Sequence, residues 1–312
     1  MLIRLFSAGG FEVKKVRKKK RNPAWIYIAP WIAGFLIFQL YPLAASLFYS
    51  FTDYSIVKPA VFTGLDNYIE LFTQDTEFIA SFASTFKYVL IAVPLKMVFA
   101  LLVAMLLAKG IKGINVFRTM YYLPSIMGGS VGIAIVWKAL FMGNGGILNS
   151  ILAVFGIEGV NWLGSPEYAI YTLILLTVWQ FGATMVIFLA ALQQVPGELY
   201  EVARVEGANK IQTFFKVTLP SISSIIQFNL IMVIISTFQD FTGPSIVTNG
   251  GPLESTYFVA LKLYTDAFSY QKMGYACALS WVLFAVIIAI TAIIFKTSKY
   301  WVHYSDGGDS FV

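Results

Sequence analysis

Apolar residues run along this 312-residue chain in long blocks separated by short polar segments. Blocks at about 25–51, 82–108, 119–141, 168–192, 221–242 and 277–296 each reach the roughly 20 residues that a helix needs to cross about 30 Å of hydrocarbon. The pattern predicts an all-α integral membrane protein with six transmembrane helices. The third block is the least regular. Pro124 and the pair Gly128, Gly129 lie inside it, and both residue types favour a bend, so bending is expected there.

One stretch breaks the apolar monotony. Residues 197–220, GELYEVARVEGANKIQTFFKVTLP, alternate charge and hydrophobicity. Leu199, Val202 and Ala203 recur at helical spacing, and Glu198 and Glu201 sit in the opening turn, where carboxylates suit the positive end of a helix. Gly207 interrupts the pattern. Asn209 followed by Gln212 reads as a capping box that opens a second helix, whose Ile211, Phe214 and Phe215 share a face and which Pro220 is expected to close. Two short amphipathic helices joined at a glycine present an apolar ridge to a groove on a partner; the alternative is a helix pair lying on lipid.

Composition agrees with the membrane reading. The chain is 58% hydrophobic and 12% charged, against roughly 25% charged in a soluble domain. Its net charge of +6 gathers near the N-terminus, in Lys14, Lys15, Arg17, Lys18, Lys19, Lys20 and Arg21. That favours a membrane surface over nucleic acid as the partner of those charges. Residues 1–24 read as a basic cytoplasmic segment, 25–296 as the six-helix transmembrane domain and 297–312 as a cytoplasmic tail. Placing the N-terminus inside puts Lys109, Lys112, Arg118, Arg204, Lys210, Lys216, Lys296 and Lys299 on the cytoplasmic side and most acids outside, as the positive-inside rule asks. Both termini and the 197–220 stretch are then cytoplasmic.

Catalytic chemistry finds no support. Gly128, Ser130 and Gly132 match a nucleophile-elbow spacing, but inside an apolar block they read as small packing residues. One cysteine, Cys277, and one histidine, His303, leave no material for an internal disulfide or a Cys/His metal cluster. A phosphate-binding G-x-x-x-x-G-K-[ST] loop is missing, so the chain cannot itself use ATP in the P-loop manner, and any ATP energy has to come from a partner. Two charges fall in apolar blocks, Lys96 near the middle of the second and Asp240 near the end of the fifth. Such residues either face a water-filled path or find local partners. Lys87 is expected to snorkel.

The 197–220 stretch resembles the EAA loop of binding-protein-dependent ABC transporter permeases. The pattern reads here as Glu201, Val202, Ala203, then Glu206, Gly207, Ala208, then Leu219, Pro220, with Val202 in place of the middle alanine and Glu206 in place of the usual aspartate. The likeness extends from about Trp25 to Phe295. It is nearest to the sugar branch, the maltose-type subunits, through RTMYYLP at 118–124, NWLGSP at 161–166 and TNGGP at 248–252. Maltose-type subunits themselves carry extra N-terminal helices and a large external domain, so this chain is similar to the shorter, six-helix members.

The resemblance implies a type I ABC importer permease fold (MetI-like) in a bacterial plasma membrane, with a carbohydrate moved and not chemically altered. It implies that Glu201, Ala203, Glu206, Gly207, Ala208, Phe214, Leu219 and Pro220 dock on a cytoplasmic ATPase. It also implies that the sugar path runs past Trp179, Gln180, Ala183, Val233, Ser236, Thr237 and Asp240. Expected partners are a second, different permease, two ATPase subunits that use ATP and Mg, an external sugar-binding protein and the lipid bilayer. This chain is expected to bind no cofactor and to be no enzyme itself. An ABC permease for another solute and a secondary transporter stay open as alternatives; the latter calls for internal repeats and coupling-ion carboxylates.

Overall fold

The computed structural model of the protein describes residues 24–108 and 113–303. The basic run at 14–21, Lys109, Lys112 and the tail beyond His303 lie outside the described residues. The chain divides into two units, 1–46 and 47–312. The first holds all but the last three residues of helix α1 (Tyr27–Tyr49), which widens into a π turn at Leu36–Leu40, where Tyr41 N–H reaches back to Leu36 O. Pro42 follows at once. A proline ring clashes with the carbonyl four residues earlier, here Phe38 in the middle of the π turn, and the wider turn relieves that crowding.

The second unit opens with a two-stranded antiparallel hairpin, β1 (Thr52–Asp53) and β2 (Val61–Phe62), then α2 (Asp66–Thr73) and the long α3 (Thr76–Ala108). Asp75 accepts from Phe78 N–H at 3.0 Å and so caps α3, which is why the helix starts before the apolar block does. Along α3, Tyr88, Ala92, Ala100 and Ala104 are buried at four-residue spacing. Lys96 lies in the same row, half-buried. The alanines let neighbouring helices approach closely.

Beyond α3 come α4 (Ile114–Met127), α5 (Val131–Leu140), α6 (Ile147–Val154), α7 (Pro166–Trp179) and α8 (Gly182–Gln194). Then follow α9 (Gly197–Val205), α10 (Lys210–Ser221), α11 (Ser223–Phe238), α12 (Val259–Tyr264) and α13 (Met273–Ser298). Helix α3 packs against α7, α8, α11 and α12, and α13 packs against α11 and α2. Phe188, Phe238, Phe258 and Leu279 are among the fully buried side chains of this core.

Helices α1, α3 and α13 are each long and apolar enough to cross a membrane, and three bent pairs bring the number to as many as six. The expected bend in the third block is far sharper than a kink: α4 and α5 meet at 100°. Residues 119–141 are therefore two helices rather than one bent rod. Ser130, from the spurious nucleophile pattern, caps α5 by accepting from Ile133 N–H at 3.4 Å. The fourth block divides at 43° between α7 and α8, and α10 meets α11 at 70°. The fifth block's helix ends at Phe238, so Asp240 lies in the turn beyond it.

At one end of the bundle Lys262 is only 3% exposed and contacts Asp75 at 2.9 Å, Asp266 at 3.3 Å and Glu77 at 3.4 Å. It ties α12 to the start of α3. Tyr275 Oη, at the start of α13, also donates to Asp75. Burial pushes the Asp75 carboxyl up, but the hydrogen bonds from Tyr275 and Lys262 outweigh it and hold the group below the usual aspartate range. Burial holds the Asp266 carboxyl above that range.

Lys262→Met leaves three carboxylates facing one another and is expected to destabilise the purified protein by about 3–5 kcal/mol, read as a drop in Tm in detergent. Lys272→Met, removing an exposed pair with Glu70, should cost no more than about 1 kcal/mol. Because Asp75 is depressed, its share of stability is present above the ordinary aspartate value of about 3.9 and is lost as pH falls through its lower folded value. Equal effects of the two lysine variants would remove the buried ion cluster from this account.

Candidate functional site

Two of the helix breaks meet, and a cavity of about 290 Å³ opens beside them. Where α7 ends, Gln180 turns its side chain to Gly128, with Nε2 donating to Gly128 O at 3.1 Å. Ser125 Oγ on α4 donates to Gln180 O at 3.1 Å and accepts from Ala183 N–H at 2.9 Å. Each break thus satisfies backbone groups freed by the other. The approach requires glycine: a Cβ on Gly182 would lie 2.0 Å from Tyr121 O, and one on Gly128 would lie 2.3 Å from the Gln180 side chain.

The cavity wall includes Lys96 from α3, Thr177 and Gln180 from α7 and its end, and Ser236, Thr237 and Asp240 from α11 and the turn after it. Asp240 is held from two sides. Tyr88 Oη donates to its Oδ2 at 2.7 Å and Gly243 N–H to its Oδ1 at 3.4 Å, while Tyr88 also shares a hydrogen bond with Thr177 Oγ1. Thr237 Oγ1 and Ser236 Oγ donate back to Val233 O at 2.7 and 3.0 Å. Their protons are used within the helix, so their lone pairs are left to accept. The wall, which Gln239 and Thr242 also join, therefore combines hydrogen-bond acceptors, two amides and one ammonium group with apolar and backbone atoms, a composition suited to a polyhydroxylated ligand.

Of the predicted path residues, Gln180, Ser236, Thr237 and Asp240 line this cavity. Three other predicted path residues do not line this cavity. Trp179 packs on Trp137, with ring centroids 5.7 Å apart, and Trp137 in turn donates to Thr172 O at 3.0 Å. Ala183 is exposed with its N–H on Ser125. Val233 is buried and contributes its carbonyl. Tyr88 and Thr177 were missing from the predicted set; Tyr88 lies two four-residue steps before Lys96 on one helix row, a spacing visible in the sequence. Lys87 is exposed.

The 197–220 stretch forms α9 and α10. Gly207 takes φ +75°, with Ala208 N–H bonded to Ala203 O at 2.9 Å and Gly207 N–H to Arg204 O at 3.1 Å. This is a Schellman ending that favours glycine at its left-handed residue. The capping box is present: Gln212 N–H donates to Asn209 Oδ1 at 2.8 Å and Asn209 N–H to Gln212 Oε1 at 2.9 Å. Glu201 and Glu206 are exposed, Ala203 is buried, and Ala208, Phe214, Leu219 and Pro220 are half-buried. Leu199, Val202, Val205, Ile211 and Phe215 stand exposed, Val205 at 88%. Pro220 does not close the second helix. A π turn at Phe214–Thr218 precedes it, and as at Pro42 the wider turn accommodates the proline, so α10 runs on to Ser221 before the break at Ile222.

Residues 74–303 match the family described as "Binding-protein-dependent transport system inner membrane component". The chain is 47% identical over 301 residues to the probable ABC transporter permease protein YesP of Bacillus subtilis, covering 95% of this chain and 97% of that one. It is 30% identical to the probable starch degradation products transport system permease protein AmyD of Thermoanaerobacterium thermosulfurigenes, covering 88% and 94%. It is 31% identical to the arabinooligosaccharides transport system permease protein AraP of Bacillus subtilis, covering 89% of each. In structure it resembles a chain of a bacterial alginate ABC transporter crystallised with an alginate pentasaccharide-bound periplasmic protein, with TM-score 0.76, 22% identity and coverage of 88% and 93%. That likeness establishes the fold of a type I importer permease.

Gly182→Ala should force α8 away from α4 and cost about 1–3 kcal/mol, whereas Gly132→Ala meets nothing within 4 Å and should be close to neutral. Thermal melts of the two purified variants test this; equal melting points would refute the close packing at the breaks.

Proposed function

The chain belongs to the family of binding-protein-dependent transport system inner membrane components, and we propose that it forms the carbohydrate path of an ATP-driven importer. Relatives named for starch degradation products and arabinooligosaccharides support the carbohydrate class. The observation that carries the reading is continuity. Helix α11 begins one residue after α10 ends, and its other end brings Ser236 and Thr237 to the cavity that Asp240 and Gln180 also line.

In this reading Gln180, Ser236, Thr237 and Asp240 bind sugar hydroxyls. The exposed ridge of Leu199, Val202, Val205, Ile211 and Phe215, together with Glu201 and Glu206, docks on an ATPase subunit at the cytoplasmic side. Open space around Gly207 leaves room for that partner. ATP and Mg are bound by two such ATPase subunits; their closure rocks the helices and exposes the cavity to an external binding protein that delivers the sugar. A second, different permease completes the path. Both termini are cytoplasmic, as the basic residues favour, and this chain carries out no chemistry on the sugar.

Replacing Asp240 and Thr237 together with alanine should lower sugar uptake at least tenfold in proteoliposomes containing the full importer, with assembly and basal ATP hydrolysis near wild type. Unchanged uptake would remove the cavity from the path. Gly207→Asp should release the ATPase or uncouple hydrolysis from transport, since a side chain at φ +75° is strained and a new charge would face the partner; normal coupled transport in that variant would overturn the docking role. Copurification separates this reading from a secondary transporter, which would bring no ATPase with it.

A further inference from the structure

Lys96 is the unexplained charge in the cavity. It is the only cationic residue among those lining it. Four-residue spacing aligns it with the buried Tyr88, Ala92, Ala100 and Ala104 on the face of α3 that packs into the protein. An ammonium group in the middle of a membrane-length helix costs about 2.5–3.5 kcal/mol on insertion scales, which favours its retention where it has work or a partner. Among the described residues, however, it makes no salt bridge. The nearby opposite charge is Asp240, which Lys96 senses electrostatically, but that carboxylate is already held by Tyr88 and by the Gly243 N–H.

The two charges therefore stand on one cavity wall without closing on each other. Asp240, fixed by protein donors, keeps lone pairs for sugar hydroxyls. Lys96 has three donors and, beyond the charge of Asp240 acting on it, makes no salt bridge among the described residues. A ligand combining hydroxyls with one negative charge completes both groups at once. A single lysine beside a carboxylate suits a monoanion better than a dianion, because the second charge of a phosphate ester would face Asp240 with no further cation to offset it.

Resting on the reading of this cavity as a sugar path, we propose that the substrate is a carbohydrate carrying a monoanionic substituent, a uronic-acid carboxylate, which Lys96 binds while Gln180, Ser236, Thr237 and Asp240 take the hydroxyls.

The test uses proteoliposomes with the complete importer and its binding protein, and three labelled probes: a uronic-acid disaccharide, the same disaccharide with its carboxyl reduced to a neutral alcohol, and a disaccharide phosphate. Wild type should import the uronate at least tenfold faster than either other probe. Lys96→Gln should lower uronate import at least tenfold and change neutral import less than twofold, and Lys96→Arg should restore most of the uronate rate. Basal ATP hydrolysis and copurification of the ATPase report that each variant assembles. Preference of wild type for the neutral sugar or for the phosphate overturns the proposal while leaving the carbohydrate path intact. So does an equal loss of both sugars in Lys96→Gln, which would make Lys96 a structural or gating residue. Import of none of the three probes, with ATPase coupling intact, counts against the carbohydrate path itself.

Discussion

A broken helix in an apolar interior frees backbone groups that water cannot reach, and the arrangement of this protein follows from how those groups are satisfied. The break between α4 and α5 leaves Gly128 O, and the break between α7 and α8 leaves Gln180 O; each is met by a side chain from the other pair. Their pairing demands glycine at 128 and 182 because any larger residue would meet Gln180 or Tyr121. The same junction prevents the helices from closing into a continuous core, and the space left is the polar cavity.

Function follows from what faces that space. Tyr88 bridges α3 to Thr177 and to Asp240, so one hydroxyl aligns the elements on three sides of the cavity and keeps a carboxylate oriented inside it. The 197–220 stretch is built on a contrasting principle. Its local geometry is self-sufficient, with a glycine ending on α9 and a reciprocal cap on α10, while its apolar side chains remain uncovered. Rigid in shape and unsatisfied in surface, it is suited to be gripped by another protein.

Much of this was legible in the sequence, and what was legible was local. Membrane-length apolar blocks, the bend signalled by Gly128 and Gly129, the capping box at Asn209 and Gln212 and the interruption at Gly207 all depend on residues within a turn or two of each other. What escaped depends on distant partners. Trp179 packs on Trp137, more than forty residues earlier, and does not line the cavity, a pairing that its own neighbours in the chain do not announce. Lys262 carried no sign that three carboxylates, two of them from the start of α3, would surround it. Pro220 misled because a proline's effect on a helix depends on the turn before it, and the π turn at Phe214–Thr218 is a backbone choice that residue type does not announce.

A single residue, Ile222, separates α10 from α11, and the two helices meet there at 70°. The 16 residues of α11 make a rod about 24 Å long. A tilt of only about 10° about Ile222 would sweep the far end, with Ser236 and Thr237, through about 4 Å, further than a hydrogen bond can stretch. Any rotation applied at the 197–220 stretch would thus be magnified at the cavity in proportion to the length of α11.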